Sequence, residues 1–180
     1  MGRGLIHATV TVDGFMADSD RGIDWMLGSD SADADTTPVN NVMAEIGAII
    51  GGSKRTNTIE EGELPYGGLL KVPVFLMTHA AHAPLERDGI TYTFVVDDIE
   101  QAVEEAQAAS NGKSVALLGG TISRQCLELG LVDEIQLHVV PVLLGKGISL
   151  FSGLDSSVRL ERLETEAFAS EIHMRFRVVR

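Results

Sequence analysis

The sequence predicts an α/β fold whose central sheet is parallel at first and ends in an antiparallel edge. Three observations carry this. Early apolar, β-rich runs are separated by segments of helical periodicity, the pattern of parallel strands joined by crossover helices. Later, the apolar run Val115, Ala116, Leu117, Leu118 ends in Gly119-Gly120 and opens a short helix. At the end of the chain, Ile172, Met174, Phe176 and Val178 alternate with His173, Arg175, Arg177 and Val179, the period-two signature of a strand with one face on a core.

Residues 5–12 form the first strand, largely apolar on both faces as a central strand requires, and break at Asp13-Gly14. A polar, acidic loop follows through Asp18, Asp20 and Asp24. Val39, Val42, Met43 and Ile46 fall at i, i+3, i+4 and i+7, which predicts a helix with one buried face. Gly47 then leads to a short strand at 48–50, closed by Gly51-Gly52. Residues 53–71, rich in Gly, Glu, Thr and Asn, form a long connection with room for a helical turn, and long ordered connections are often functional.

Strands follow at 72–78, with Pro73 near the start where a missing N–H is tolerated, and at 91–96. Asp98-Ile-Glu-Gln101 resembles a capping box with Asp as the cap. Ile99, Ala102, Val103 and Ala106 then share one face of a helix that Asn111-Gly112 stops. The remaining elements are a strand at 114–118, a helix at 121–129, a long strand at 134–144, and an antiparallel hairpin of 158–167 with the final strand. No repeat, low-complexity tract or linker divides the chain, and residues 1–180 read as one domain.

With 180 residues, 44% of them hydrophobic, the chain can bury a sizeable core without disulfides or metal. It has 14 Lys plus Arg against 26 Asp plus Glu, a formal net charge of −12 that argues against nucleic acid and anionic membrane surfaces as partners. The N-terminal residues enter a strand-like run without a signal-type segment, and no apolar stretch approaches a membrane span, so a soluble, cytoplasmic protein is expected. Cys126, the single cysteine, excludes an internal disulfide and reads as a packed small hydrophobe inside its helix. Of the histidines 7, 79, 82, 138 and 173, only His79 and His82 are close in sequence, in a loop ended by Pro84, and no metal site is expected.

Ligands of open parallel sheets sit at the carboxyl ends of the strands. Four segments converge there: Val12-Asp13-Gly14, residues 51–56, Thr78-His79 and Gly119-Gly120. Glycines let a backbone approach a ligand closely. The unpaired N–H groups of the helix's first turn, those of Thr121, Ile122 and Ser123 among them, favour an anion such as a pyrophosphate, so the implied ligand is a nucleotide. Gly52-Ser53-Lys54-Arg55-Thr56 adds two cations and two hydroxyls after a glycine, a seat for a second phosphate or simply a solvated basic turn. Two such turns at one sheet end suit the pyrophosphate and 2′-phosphate of one dinucleotide.

These features resemble the dihydrofolate-reductase-like superfamily. Within it they resemble the RibD C-terminal family, the reductase domain of the bifunctional riboflavin-biosynthesis deaminase/reductase. The resemblance spans essentially the whole chain. It is carried by Thr11-Val-Asp-Gly14, Asp24-Trp25, the Gly52 turn, Val74-Phe-Leu-Met-Thr-His79, Leu118-Gly-Gly120, Leu150-Phe151 and, most specifically, Gly130-Leu-Val-Asp-Glu-Ile135 followed by Pro141-Val-Leu-Leu-Gly145.

The resemblance implies a three-layer fold, a mostly parallel sheet of about eight strands with an antiparallel C-terminal hairpin, helices on both faces, NADPH as cofactor, and a homodimer. It places Gly119, Gly120, Thr121 and Ile122 on the pyrophosphate and nicotinamide side, and Gly52, Ser53, Lys54 and Arg55 on the 2′-phosphate side. Thr78 falls near the adenosine, and Thr9 and Ala17 near the nicotinamide. Asp13 orients the loop beside the hydride-transfer site, and Trp25 walls the substrate pocket.

The basic turn is one residue longer than the family's Gly-Arg-Arg/Lys-Thr. Asp13 and Asp30 are the acids on offer for catalysis, and Asp30 reads as a surface acid; no strong general acid is visible. The deaminase half, with its His-x-Glu and Pro-Cys-x-x-Cys zinc signature, is absent from a chain with one cysteine.

The expectation is an NADPH-dependent oxidoreductase of a small heterocyclic or ribosylamino-pyrimidine-like substrate, akin to the 5-amino-6-(5-phosphoribosylamino)uracil reductase of riboflavin biosynthesis. One alternative is a dihydrofolate reductase, which would aim a carboxylate such as Asp30 into the pocket. Another is a binding module that holds the nucleotide without turnover, its pocket filled by Trp25 or Met16. A homodimer is expected through strand 134–144, where Gln136, His138 and Val140 alternate with Ile135, Leu137 and Val139 and leave apolar character on both faces.

Overall fold

The computed structural model describes residues 2–26, 37–52, 65–168 and 170–180. In chain order the strands are β1 (Gly4–Thr11), β2 (Phe15–Ala17), β3 (Ile46–Gly52), β4 (Val74–Thr78), β5 (Leu85–Arg87), β6 (Ile90–Val96), β7 (Ser114–Leu117), β8 (Glu134–Val140), β9 (Ile148–Ser149), β10 (Arg159–Phe168) and β11 (Glu171–Val179). The α-helices among the described residues are α1 (Thr37–Ala44), α2 (Ile99–Ala109) and α3 (Gly120–Glu128). None is long and apolar enough to cross a membrane.

The main sheet has nine strands in the order β10-β11-β8-β1-β7-β3-β4-β6-β5. Strands β8, β1, β7, β3, β4 and β6 run parallel; β5 pairs antiparallel with β6 at one end, and at the other β11 pairs antiparallel with β8 and β10 with β11. On one face Ile6, Val10, Ile50 and Leu117 pack against Ala102, Val103 and Ala106 of α2 and against Ile122, Cys126 and Leu127 of α3. On the other, Leu5, Ile49, Leu76 and Ala116 pack against Val42 of α1. Helices therefore cover both faces, and the fold is the dihydrofolate-reductase-like α/β architecture expected.

The helix after Asp98 starts as its sequence dictates, with the Asp98 carboxylate accepting from the Gln101 N–H at 2.8 Å. The terminal hairpin pairs Arg159 with Val179 and closes at Phe168 opposite Glu171. In the long connection, whose residues 53–64 lie outside the described ones, Pro65–Gly68 makes a tight turn with Tyr66 and Gly67 in left-handed conformations, φ 54° and 60°, and not a regular helical turn.

Several boundaries differ. The first helix ends at Ala44, and Ile46 is buried as a strand residue of β3. The strand expected at 134–144 ends at Val140, because Pro141 has no N–H to donate and the chain turns toward β2, pairing there as β9. β5 was not anticipated, although Asp88-Gly89, with φ of 51° and 76°, is a hairpin turn of the Asp-Gly type.

The Ile46/Ala48 irregularity between β3 and β7 brings Gly47 against the turn after α2. A Cβ there would overlap the Ser110 carbonyl oxygen and sit 2.8 Å from the Lys113 Cβ. Gly47→Ala should therefore lower stability by about 1–3 kcal/mol, read as a lower urea midpoint at unchanged m-value; an unchanged midpoint would contradict this packing.

Candidate functional site

In the sheet, β7 and β3 are neighbours, but the chain leaves β3 toward β4 and leaves β7, through α3, toward β8 on the far side of β1. Such a divergence opens a crevice at the carboxyl ends of the two strands, where open α/β sheets bind ligands. Gly52 ends β3, and the Leu118 N–H donates to the Ile50 carbonyl at 2.8 Å, holding the two strand ends together. Gly119 follows with φ of 92°, a conformation glycine alone takes readily, and α3 begins with no side-chain cap on its first turn.

The glycines differ in what surrounds them. Among the described residues, a Cβ on Gly119 would meet nothing within 4 Å, and one on Gly52 would meet only the Ile122 Cγ1 at 4.0 Å. A Cβ on Gly120 would stand 2.9 Å from the Ser149 carbonyl oxygen and 3.4 Å from that of Leu150. Close packing against β9 is enough to require glycine at position 120.

Thr121 is exposed at the helix start, whereas the Ile122 side chain belongs to the core and offers a ligand only its backbone. The buried Thr78 hydroxyl is engaged with Ala80, donating to its carbonyl and accepting from its N–H. Thr9 lies on β1 on the same face as His7 and Thr11, and Ala17 is buried in β2. Trp25 is half-buried in a single helical turn, its Nε1 donating to the Gly22 carbonyl at 3.2 Å, and Met16 packs on the core. Ser53, Lys54, Arg55 and Asp30 lie outside the described residues.

Asp13 is exposed at the end of β1. Its carboxylate accepts from the Thr11 hydroxyl at 2.6 Å, the Gly145 N–H at 2.7 Å and the Leu144 N–H at 3.3 Å. The Thr11 hydroxyl foremost, then these amides, hold its pKa below the usual carboxylate value. An ionised carboxylate with this set of donors fixes the 144–145 loop against β1; it is not a proton donor.

Sequence reasoning missed a row of buried histidines. On one face of three adjacent strands, His7 Nε2 lies 2.7 Å from His138 Nε2, and His138 Nδ1 lies 2.5 Å from His173 Nδ1. Tyr66 Oη stands 3.0 Å from His7 Nδ1, with the two rings stacked. All three histidines are buried. Burial foremost pushes His7 down to about 4 and His138 to about 3. The available signal was their position at same-face, inward sites of neighbouring strands, which becomes visible only once the strand order is known.

The same face carries the Arg175 guanidinium, which donates to both oxygens of Glu45 at 2.9 and 2.7 Å and to Glu134 at 2.7 Å, while Arg3 pairs with Glu134. This overturns the expectation of an apolar second face on the late strand: Glu134, Gln136 and His138 make it polar, and Glu134 and His138 find partners within the chain. A cavity of about 120 Å³ lined by Glu45, Gln136, Glu164, His173 and Arg175 lies there, away from the crevice. No metal-binding cluster occurs among the described residues, and burial pushes the Cys126 thiol up to about 12, which leaves it inert.

A family model described as the RibD C-terminal domain matches residues 71–174. The uncharacterized protein YyaP of Bacillus subtilis strain 168 is 34% identical over 80 residues, covering 44% of this chain and 42% of that protein, so the match spans less than half of either. Among solved structures, a putative riboflavin biosynthesis protein from Shewanella sp. PV-4 superposes with a TM-score of 0.80 at 20% identity, covering 99% of each chain. A dihydrofolate reductase from Enterococcus faecalis complexed with NADP(H) gives a TM-score of 0.64 at 11% identity, covering 98% of this chain and 96% of that one.

Two outcomes test this geometry. The unfolded chain protonates its histidines near their ordinary value of 6.5, while folded His7 does so only near 4 and His138 near 3. Stability is therefore full above pH 6.5 and falls as pH drops below it, by about 1.4 kcal/mol per pH unit for each histidine. Urea midpoints should decline steadily between pH 6.5 and 5; a flat profile there would contradict a neutral, buried His7 and His138. Gly120→Val should lower the melting temperature in the absence of any ligand, because the added carbons meet β9 backbone; an unchanged melting temperature would show that β9 yields.

Proposed function

Because the chain belongs to the RibD C-terminal domain family, we propose that it is an NADPH-dependent reductase of a small heterocyclic, ribosylamino-pyrimidine-like substrate. On this reading residues 1–180 act as one reductase domain, in the cytoplasm. The observation that carries the proposal is the divergence of the chain at the β3 and β7 ends, bordered by two glycines at which a Cβ would meet no atom closer than 4.0 Å among the described residues and by the uncapped first turn of α3. A pyrophosphate fits this arrangement, since backbone N–H groups and the positive end of the helix dipole converge without a Cβ in the way.

The N–H groups of Thr121 and Ile122 would hold the pyrophosphate, with Gly119 and Gly52 allowing its approach. Ser53, Lys54 and Arg55 would hold the 2′-phosphate, and Thr78, Thr9 and Ala17 would border the rest of the dinucleotide. NADPH, when bound, supplies a hydride. The chain's own contribution is alignment and exclusion of water: Asp13 fixes the 144–145 loop beside the β1 end, and Trp25 would wall the substrate side.

A homodimer formed through the β10–β11 end of the sheet completes the proposal. Residues 159–167 of β10 are exposed, and Leu160 at 39%, Leu163 at 38% and Ile172 at 45% stand among charges on this edge. A second copy would remove them from water.

Calorimetric titration should show NADPH bound at least tenfold more tightly than NADH, with the difference abolished in the Lys54→Ala, Arg55→Ala double variant, because only a 2′-phosphate uses those cations. Equal affinities in the wild-type protein would remove the 2′-phosphate assignment. Light scattering at micromolar concentration should give twice 19.3 kDa; the monomer mass would refute the dimer.

A further inference from the structure

The nucleotide crevice leaves the cavity beneath α1 without a use. Strand register builds its floor in two rows. Gln136 of β8 lies opposite Arg175 of β11, which lies opposite Glu164 of β10; two residues along, His138, His173 and Glu166 are paired in the same way. Directly paired residues share a face, so both rows point to the side that α1 covers. Pro38, Asn41 and Val42 of α1 and Glu45 just beyond it, spaced i, i+3, i+4 and i+7, form the wall opposite. The enclosed volume is about 120 Å³. Pockets for drug-sized ligands run from about 300 to 1,000 Å³, so this one admits a group of a few heavy atoms and not a nucleotide.

Gln136 carries the argument. It is 6% exposed and lines the cavity, yet its carboxamide makes no hydrogen bond with any described residue. Its neighbours on the same face differ, since Arg175 is held by Glu45 and Glu134, and His7 and His138 contact each other. A buried amide without a partner is a net cost to the fold, and an apolar side chain at that place would be more stable. A carboxamide there turns its donor and acceptor to whatever occupies the cavity.

Charge selects the class of occupant. Arg175, the only lysine or arginine among the described residues that line the cavity, is already engaged by both oxygens of Glu45 and by Glu134. Its hydrogen bonds foremost hold the Glu45 carboxyl below the usual carboxylate value, so that pair stays ionised and closed. His173 is engaged elsewhere, with His138 among its partners. Glu164 and Glu166 are exposed at the rim, and neither forms an ion pair with a described residue. With Glu45 they set three carboxylates against one guanidinium, which repels an anion and attracts a cation. The described residues offer no metal-binding cluster, so an organic cation fits better than a metal ion. Same-face residues two apart on a strand stand roughly 6.5–7 Å from each other. A planar guanidinium bridges such a span by donating from two of its edges.

We propose that this cavity is a second ligand site, separate from the nucleotide crevice, that takes the guanidinium or amidinium group of a small organic cation. Gln136 accepts from it at the floor, and Glu164 and Glu166 accept at the rim. The assignment does not rest on the reductase reading.

Methylguanidinium chloride titrated at constant ionic strength, with the Gln136 side-chain amide followed by ¹H–¹⁵N correlation, tests the site. The Gln136 Nε2 resonances should shift and saturate in the millimolar range or below. Methylurea, neutral and nearly the same shape, should bind about tenfold more weakly, because it forfeits the charge-assisted bonds. Glu164→Gln combined with Glu166→Gln, both at exposed positions, should weaken methylguanidinium by about tenfold while the rest of the spectrum stays that of the folded protein. The absence of a saturable shift at Gln136, equal binding of methylurea, or undiminished binding by the double variant would each overturn the proposal. If the double variant failed to fold, the methylurea comparison on the wild-type protein would decide alone.

Discussion

The placement of β1 between two parallel neighbours is the constraint on which the rest of the molecule depends. A strand in that position loses water from both faces, so each of its side chains must join a core or find a polar partner. Ile6 and Val10 join the core beneath α2 and α3, and Leu5 joins the one beneath α1. His7, on the Leu5 face, can do neither alone. Its burial requires an imidazole from β8, which in turn requires one from β11, and the Tyr66 ring closes the line from outside the sheet. One polar residue on the central strand thus fixes the chemistry of the two strands beside it. The carboxyl end of the same strand, through Asp13, fixes the loop that edges the crevice.

The polar face works because its charges are used more than once. Arg175 forks onto Glu45, at the junction of α1 and β3, and onto Glu134 of β8, so one guanidinium joins β11 to two distant parts of the chain. Replacing such a network with apolar residues need not cost stability, whereas removing one member leaves a buried charge unpaired. Its value lies in registry: Arg175 reaches Glu134 only when β11 pairs with β8 as observed, with Arg175 opposite Gln136 and His173 opposite His138. A one-residue slip would turn the arginine and the histidine to the opposite face together.

Much of the fold was legible in the sequence because its elements are locally determined. Asp98 caps its helix by contact with a residue three positions away, and the final strand alternates in sequence with Phe176 and Val178 on the core, although Ile172 of the same face is exposed and His173 of the other is buried. Elements that depend on distant partners were not legible in the same way. β2 and β9 are two short segments that exist only because each pairs with the other, and Ile46 satisfies a helical spacing while its burial is that of a strand residue. The histidine row belongs to this second class: His7 and His138 are 131 positions apart, and no periodicity connects them.

The glycine pair shows where sequence reasoning about a site stops. Gly119 and Gly120 are adjacent and identical in composition, and a nucleotide turn explains both equally well. In the fold they are required for different reasons. Gly119 takes a positive φ, and a Cβ on it would meet no described residue within 4 Å, while Gly120 takes an ordinary helical conformation and is pressed against the β9 backbone. A side chain at 120 would therefore disturb the protein before it could obstruct a ligand. The two residues have separate functions because β9 crosses one of them, and β9 is placed there by Pro141 ending β8 and by Asp13 holding the loop between. Which of the two glycines is left uncrossed by β9 is thus set by the loop that Asp13 and Pro141 direct, more than by the Gly-Gly motif itself.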